Sequence, residues 1–300
     1  MDAGELPAST AQAAFEPPYE LRLGERTAGM SPSPLVFASP HSGRHYPPDM
    51  GASARLGETA IRSSEDVLVD KLIDAAPRHG CAVLLARFAR AYVDVNREPY
   101  ELDAAMFEDE VPEFARGRTA RVAAGLGSIA RLVAEGREIY DRKLTFAEAM
   151  ARIEAVHKPY HLALRRLLDD AVSANGAAVL VDWHSMPGAA SRAGSGRRQV
   201  DMVLGDRFGS TCSPMLTDTV ERALVGMGYV VARNAPYAGG YTTEAYGRPV
   251  EGVHALQIEI SRSLYLDEGS LCHKPSFQRL ADDLERVFEA LAALDPKTLR

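Results

Sequence analysis

Two histidines of this sequence come shortly after apolar runs, a position from which a side chain can take part in chemistry. His41 follows residues 35–38, and His184 follows residues 178–181. If both runs are strands of one sheet, the two imidazoles can meet at the same edge and bind one metal ion. The alternative is a pair of hydrogen-bonded structural histidines.

Glu65 and Asp66 are adjacent carboxylates that can supply a third metal ligand. Three protein ligands would leave an open position for water, as in catalytic zinc sites. Acids that begin a helix also act simply as caps that complement the helix dipole. The residues alone therefore leave open whether either acid binds a metal.

A carboxylate lies in the middle of the apolar run at residues 255–262. On a strand, Gln257, Glu259 and Ser261 share one face and the aliphatic residues between them share the other. Burying such a carboxylate is costly unless its charge is used. Activation of a metal-bound water would use the charge of Glu259, and a salt bridge to Arg262 or another arginine is the alternative.

Two further segments have the character of substrate-binding elements. Asn96 and Arg97 follow residues 91–94, and an Arg in this position is suited to a two-point contact with a substrate carboxylate. A structural ion pair with a neighbouring acid is the alternative. The Gly-rich segment from Gly239 to Tyr241 is typical of a mobile loop over a site, or of a plain surface turn.

The elements that must position these residues alternate along the chain. Short apolar or β-branched runs predict strands at 35–38, 82–85, 91–94, 178–181, 202–204, 229–232 and 256–260. Helical spacing predicts helices at 66–78, 129–174 with a break near Pro159, 214–227 and 275–294. We therefore expect an irregular arm over residues 1–33 and one α/β domain over 34–300, with a mixed, largely parallel sheet flanked by helices.

Composition excludes several classes of protein. The net charge of −7 comes without a basic block, so nucleic acid is not an expected partner. No run approaches the ~18 apolar residues of a membrane span, and the N-terminus lacks the basic flank of a signal peptide, which predicts a cytoplasmic protein without a membrane partner. The three cysteines show no CxxC spacing, which argues against disulfides and thiolate metal sites.

Several sequence blocks together resemble the N-formylglutamate amidohydrolase family, which is similar in fold to zinc carboxypeptidases and aspartoacylases. The resemblance extends from Pro34 to Glu268, and it is specific because many blocks occur in one order. The blocks are SPHSG at 39–43, EDVLVDKL at 65–72, FARAYVDVNR at 88–97, HKPYH at 157–161, DWHSMPG at 182–188, VLGDRFGSTC at 203–212, NAPYAGGYTTEAYGRP at 234–249 and GVHALQIEISRSLYLDE at 252–268.

The resemblance implies one divalent metal ion, zinc, held by His41, Asp66 and His184, with Glu65 as the reserve for the acidic ligand. Zinc carboxypeptidases take their first two ligands from an HxxE motif, but position 44 here is Arg, so the acid has to come from elsewhere in the chain. Asp66 matches the acid of the family's own motif. Nitrogen and oxygen ligands also suit cobalt, manganese or iron, so the sequence leaves the metal open.

The resemblance further implies that Glu259 is the general base and that Asn96 and Arg97 bind a substrate carboxylate. Arg97 is also a candidate for stabilising the oxyanion of the tetrahedral intermediate. The family name suggests N-formyl-L-glutamate as substrate, hydrolysed to formate and L-glutamate in histidine degradation. Because this substrate carries two carboxylates, we expect two cationic groups, Arg97 with Arg248 or Arg262.

Tyr241 completes the predicted substrate-binding set, and the oligomeric state is left open. Three alternatives remain. The protein can hydrolyse another N-acyl acidic amino acid, or bind a small molecule through its metal without catalysis. A hydrolase with Cys212 as nucleophile is the third, but the flanking GSTCSP lacks a nucleophile signature.

Overall fold

The structure is a computed structural model that describes residues 17–25, 33–133, 136–193 and 199–299. Its strands are β1 (Tyr19–Arg22), β2 (Leu35–Ser39), β3 (Ala82–Ala86), β4 (Leu132–Val133), β5 (Arg137–Glu138), β6 (Ala178–Met186), β7 (Met202–Gly205), β8 (Val231–Arg233), β9 (Val253–Ser261), β10 (Leu266–Asp267) and β11 (Cys272–His273). Its α-helices are α1 (Glu58–Arg62), α2 (Val69–Leu72), α3 (Ala120–Ala123), α4 (Phe146–Arg152), α5 (Lys158–Asn175), α6 (Ala190–Ala193), α7 (Pro214–Gly226), α8 (Tyr241–Tyr246) and α9 (Phe277–Ala292).

Seven strands form one mixed sheet in the order β1-β3-β2-β6-β9-β7-β8. The central strands β3, β2, β6 and β9 are parallel to one another. Strand β1 is antiparallel to β3, β7 is antiparallel to β9, and β8 is parallel to β7. The carboxyl ends of the central strands therefore lie at one edge of the sheet, where parallel sheets place their ligands.

Both faces of the sheet are covered by helices. Successive residues of β2 point to opposite faces of the sheet. Leu35 and Phe37 pack in the hydrophobic cluster on one face, and Val36 and Ala38 pack in the cluster on the other. Helices α2, α7 and α9 cover the first face, and α4 and α5 cover the second. The predicted fold class, a single α/β domain with a mixed, largely parallel sheet flanked by helices, is confirmed.

The predicted strand at residues 91–94 is wrong, since these residues form turns beside the sheet. Val93 and Val95 are buried in the core, whereas the side chains of Asp94 and Asn96 make polar contacts near the sheet edge. The strand-like alternation therefore reflects one apolar and one polar side of an irregular segment. The Asp94 amide bonds the carbonyl of Ser128 at 2.8 Å instead of a strand partner.

The helix predictions hold in part. Residues 66–78 form only α2 and a 3-10 helix at Ala76–His79. Residues 129–133 and 136–145 form the β4–β5 pair and irregular structure. The predicted break near Pro159 is wrong, because the helical backbone runs on from α4 through a π-helical segment, Ile153–His157, into α5. Pro159 is the second residue of α5 and follows the π-helical turn directly, so the backbone departs from α-helical spacing next to the residue that lacks an N–H.

The predicted N-terminal arm over residues 1–33 needs one correction. Tyr19–Arg22 is not irregular, because it forms the edge strand β1 beside β3. Residues 1–16 and 26–32 lie outside the described residues, and the domain boundary at residue 34 stays a prediction. In the part of the chain that the structure describes, no helix has both the length and the apolar character needed to cross a membrane.

Candidate active site

A cavity of about 810 Å³ opens at the carboxyl edge of the central strands. His41 lies just past the end of β2, His184 lies near the end of β6, and Glu259 lies in the neighbouring strand β9. The register of the β6–β9 pair places His184 directly beside Glu259. All three residues line the cavity, so the sheet brings together side chains that are far apart in sequence.

His41, Asp66 and His184 form a buried group whose ligand atoms lie within 4.8 Å of one another. Asp66 Oδ2 is 3.0 Å from His184 Nδ1 and 3.3 Å from His41 Nδ1. Ligand atoms held ~2.0–2.2 Å from one tetrahedral zinc ion are themselves roughly 3.3 Å apart. The donor set and its spacing therefore fit a single divalent ion.

The other ring nitrogen of each histidine contacts a buried carboxylate. His41 Nε2 lies 2.7 Å from Asp94 Oδ1, and His184 Nε2 lies 2.9 Å from Asp182 Oδ2. Histidines that bind metals usually donate their second N–H to a carboxylate, which leaves the first nitrogen free to bind. Within the described residues, His41 Nδ1 makes no hydrogen bond despite its burial, as expected for a nitrogen that awaits a ligand.

Asp66, and not Glu65, is the acid that faces the two histidines. The Glu65 carboxylate is turned the other way, where it accepts a hydrogen bond of 2.7 Å from Tyr46 and one of 3.2 Å from Arg62. Asp66 is held in place through its second oxygen, Oδ1, which accepts a hydrogen bond from Ser185 at 3.0 Å. This leaves Oδ2 directed towards the imidazoles.

The electrostatics of the buried group favour a cation. Burial by itself would raise the pKa of the Asp66 carboxyl, but contacts with His184 and His41 hold that pKa well below its usual range. Burial would likewise lower the pKa of His184, but the carboxylates of Asp182 and Asp66 raise it well above its usual value. Three buried carboxylates, those of Asp66, Asp94 and Asp182, thus surround two imidazoles.

Glu259 lines the same cavity on the face of β9 that points away from the aliphatic cluster. Its Oε1 accepts a hydrogen bond of 2.8 Å from the Gln257 amide. Arg262, the expected salt-bridge partner, instead contacts Ser185 and Asp66. Burial raises the pKa of Glu259 to about 7, which suits a group that must take up and release a proton near neutral pH.

The Gly-rich segment closes over the site and is tied to it by backbone hydrogen bonds. The Gly240 amide donates to Gln257 Oε1, and the Thr242 amide donates to Asn96 Oδ1, each at 2.7 Å. A Cβ at Gly240 would stand 2.6 Å from the Asn96 amide nitrogen, so this close approach requires glycine. Asn96 also donates to Asp182 at 3.2 Å, which links the loop to the histidine carboxylate.

Arg97 lines the cavity and belongs to a segment whose backbone carbonyls are bound by two histidines. The guanidinium donates to the carbonyls of Leu126 and Asn96, at 3.1 and 2.9 Å. His157 Nε2 lies 2.9 Å from the Arg97 carbonyl, and His161 Nε2 lies 2.7 Å from the Val95 carbonyl. Because carbonyls only accept, both imidazoles donate here.

Three residues predicted to bind substrate are placed differently from expectation. Arg248 is exposed, lies outside the cavity lining and donates to the carbonyls of Glu244 and Gly247. Tyr241 is the first residue of α8 and packs on His161, with 5.4 Å between ring centroids, away from the cavity lining.

Arg262 does line the cavity, but structural contacts occupy most of its donors. It donates to Ser185 Oγ at 3.0 Å and to the Ser63 and Glu65 carbonyls at 3.0 and 2.6 Å, and it lies 3.4 Å from Asp66 Oδ1. It therefore orients the acid of the histidine group.

Four residues of the site were missed by reasoning from the sequence. The sequence suggested Asp94 only as an ion-pair partner of Arg97 and suggested no role for Asp182, although an acid two residues before His184 is a detectable signal. Arg90 lines the cavity and donates to Asp94 Oδ2 at 2.7 Å. Tyr237 lines the cavity in place of Tyr241, and the sequence of the loop does not distinguish the two tyrosines.

Comparison with known proteins decides the family. A sequence model described as N-formylglutamate amidohydrolase matches residues 33–266. The chain belongs to the N-formylglutamate amidohydrolase family. The predicted resemblance is thereby confirmed, and the chain is an enzyme of the amidohydrolase type.

Relatives of this amidohydrolase agree with the assignment. An N-formylglutamate deformylase from Pseudomonas aeruginosa is 28% identical over 238 residues, which cover 78% of this chain and 83% of the relative. The crystal structure of N-formylglutamate amidohydrolase from Ralstonia eutropha JMP134 superposes with a TM-score of 0.87 at 39% identity and covers 94% of this chain and 99% of that one. An Agrobacterium tumefaciens protein, 20% identical with a TM-score of 0.64 over 94% of this chain and 96% of that one, shares the fold.

Proposed function

We propose that this amidohydrolase hydrolyses N-formyl-L-glutamate to formate and L-glutamate with the help of one zinc ion. The observation that carries the proposal is the buried group of His41, Asp66 and His184 with Glu259 beside it in the same cavity. The names of the Pseudomonas and Ralstonia relatives support the choice of substrate.

Three residues of the site would hold the metal ion. His41 Nδ1, Asp66 Oδ2 and His184 Nδ1 are the proposed ligands, and Asp94 and Asp182 keep the imidazoles in the required tautomer. When bound at such a site, zinc acts as a Lewis acid on a carbonyl and lowers the pKa of a bound water.

Glu259 would act first as base and then as acid. Its carboxylate takes a proton from the attacking water while the water oxygen forms a bond to the formyl carbon. The carbon–nitrogen bond then breaks as Glu259 returns the proton to the leaving amine, which yields formate and glutamate. A pKa of about 7 lets one group serve both transfers.

Two arginines are assigned to the substrate. Arg90 is the better placed to stabilise negative charge on the formyl oxygen, because its positive charge acts on both Asp66 and Glu259 at the reaction centre. Arg97 lines the cavity from the loop of Asn96 and would bind the α-carboxylate.

We also assign the enzyme to the cytoplasm and to histidine degradation. N-formylglutamate is formed when the imidazole ring of histidine has been opened, so a deformylase completes the conversion to glutamate.

A substrate panel tests the proposed function. Purified zinc-loaded protein is incubated with N-formyl-L-glutamate, N-formyl-L-alanine and N-acetyl-L-glutamate, and formate or free amine is measured. The proposal predicts the highest kcat/KM for N-formyl-L-glutamate. Faster turnover of the acetyl compound would reassign the enzyme to another N-acyl acidic amino acid, and absence of any hydrolysis would contradict the proposal.

A further inference from the structure

Arg121 is a positively charged residue at the cavity that has no role in the proposed reaction. It lies on the short helix α3, is exposed and lines the same cavity as Arg97. Within the described residues, Arg121 has no ion pair with a carboxylate, and Arg97 bonds only main-chain carbonyls. By contrast, Arg90 and Arg207, which also line the cavity, are paired with Asp94 and Glu244.

Arg97 and Arg121 lie close enough for their charges to repel. Burial lowers the pKa of Arg97, and the positive charges of Arg90 and Arg121 lower it further, against the favourable charges of Asp94 and Glu101. Two positive charges that lie close together repel each other, which is unfavourable in the free protein. An anionic ligand would remove that repulsion, and carboxylates match the donor geometry of arginine.

Arg97 and Arg121 differ in burial, and this difference matches the positions of the two carboxylates in the proposed substrate. Arg97 is partly buried, whereas Arg121, which lines the same cavity, is exposed to solvent. In N-formyl-L-glutamate the α-carboxylate is joined to the carbon next to the reacting nitrogen, and the side-chain carboxylate is two methylene groups farther out. A substrate with its formyl group beside Glu259 therefore extends its second carboxylate outwards.

We infer that Arg121 binds the side-chain carboxylate of the substrate and so selects N-acyl amino acids with an acidic side chain. This inference rests on the proposed function and assigns to Arg121 the second cationic contact that Arg248 and Arg262 do not supply. Arg97 contacts the α-carboxylate, which every N-formyl amino acid carries, and Arg121 contacts the group that distinguishes glutamate from glutamine.

Two substrates that differ only in this charge provide the test. The values of kcat/KM for N-formyl-L-glutamate and N-formyl-L-glutamine are measured for zinc-loaded wild type, Arg121→Gln and Arg97→Gln. The matched control is Arg118→Gln, since Arg118 is exposed, pairs with Glu113 and lies outside the cavity lining. Loss of a charge-assisted hydrogen bond reduces binding by about tenfold or more.

The inference predicts that Arg121→Gln lowers kcat/KM about tenfold for N-formyl-L-glutamate, through KM, and leaves N-formyl-L-glutamine unchanged. Arg97→Gln should impair both substrates, and Arg118→Gln neither. An unchanged preference for glutamate over glutamine in Arg121→Gln would overturn the role of Arg121 while leaving the proposed function intact. A wild type that hydrolyses neither substrate would contradict the proposed function itself, and with it this role of Arg121.

Discussion

Glu259 differs from two other buried carboxylates of the site in its hydrogen-bond partner. Asp66 and Asp94 contact Arg262 and Arg90, whereas Glu259 accepts a hydrogen bond from the neutral amide of Gln257. A carboxylate paired with arginine stays ionised and is a poor proton carrier. Glu259, with its pKa raised to about 7 by burial, can carry a proton in either direction.

Replacing Glu259 with glutamine tests this role, because the substitution keeps the shape and removes the base. We expect turnover of N-formyl-L-glutamate to fall by ~10²–10⁴-fold. Zinc content and thermal stability should stay near wild type, since Glu259 is not a proposed ligand and forms no ion pair within the described residues. Single-turnover rate, zinc stoichiometry and Tm are measured on one preparation.

Glu65→Gln is the matched control, because Glu65 is also buried but faces Tyr46 and Arg62 outside the cavity. This variant should lose stability and keep its turnover per folded molecule. A stable, zinc-loaded Glu259→Gln protein with near-normal turnover would remove Glu259 from the mechanism.

The segment that carries Asp94, Asn96 and Arg97 is an element without regular secondary structure, held by its neighbours. Helix α8 binds it through the Thr242 amide, and the region around α5 binds it through His157 and His161. Tyr246 lies 2.9 Å from His161 Nδ1. His161 Nε2 must donate to a carbonyl, so a neutral imidazole can accept from the Tyr246 hydroxyl with its other nitrogen.

This arrangement predicts a pH dependence of stability. Burial lowers the pKa of His161 to about 3, whereas an unfolded chain keeps its ordinary value of 6.5. Between pH 3 and pH 6.5 the unfolded state binds a proton at His161 that the folded state does not bind. The contribution of His161 to the free energy of unfolding is therefore highest above pH 6.5 and decreases as the pH falls below that value. His161→Gln should therefore reduce the slope of the unfolding free energy against pH by up to about 1.4 kcal/mol per pH unit.

Urea denaturation of wild type and His161→Gln at several pH values between 4 and 6.5 measures this slope. Glutamine retains an N–H that can reach the Val95 carbonyl, so the variant should fold. Parallel stability curves for the two proteins would show that His161 does not remain neutral in the folded state.

At the level of elements, the sequence predicts regular structure best for strands that are buried on both faces and for helices whose apolar residues recur at regular spacing. Strands β2, β3, β6, β7 and β9 and helices α7 and α9 lie where apolar spacing indicated. Residues 91–94 mimic a strand because one side packs in the core and the other faces the site. Local periodicity cannot distinguish such a two-sided segment from a strand, because the two differ only in whether a neighbouring strand pairs with the backbone.

At the level of the whole molecule, the mixed sheet explains which site residues the sequence could indicate. His41, His184 and Glu259 lie on or directly after central strands, and their position follows from the parallel order of those strands. The positions of the Arg248 and Tyr241 side chains depend on how the α8 region packs, and the spacing of residues in the sequence does not determine that packing. The roles of Arg90 and Arg121 likewise depend on which loops border one cavity.

The central claim, hydrolysis that depends on one metal ion at the carboxyl edge of the sheet, is tested most directly by a zinc titration. Protein stripped of metal with a chelator is titrated with zinc while N-formyl-L-glutamate hydrolysis is measured and metal content is determined by elemental analysis. We expect no turnover without metal and a linear rise that ends at one zinc ion per chain. Full turnover in a preparation shown to be free of metal would contradict the account.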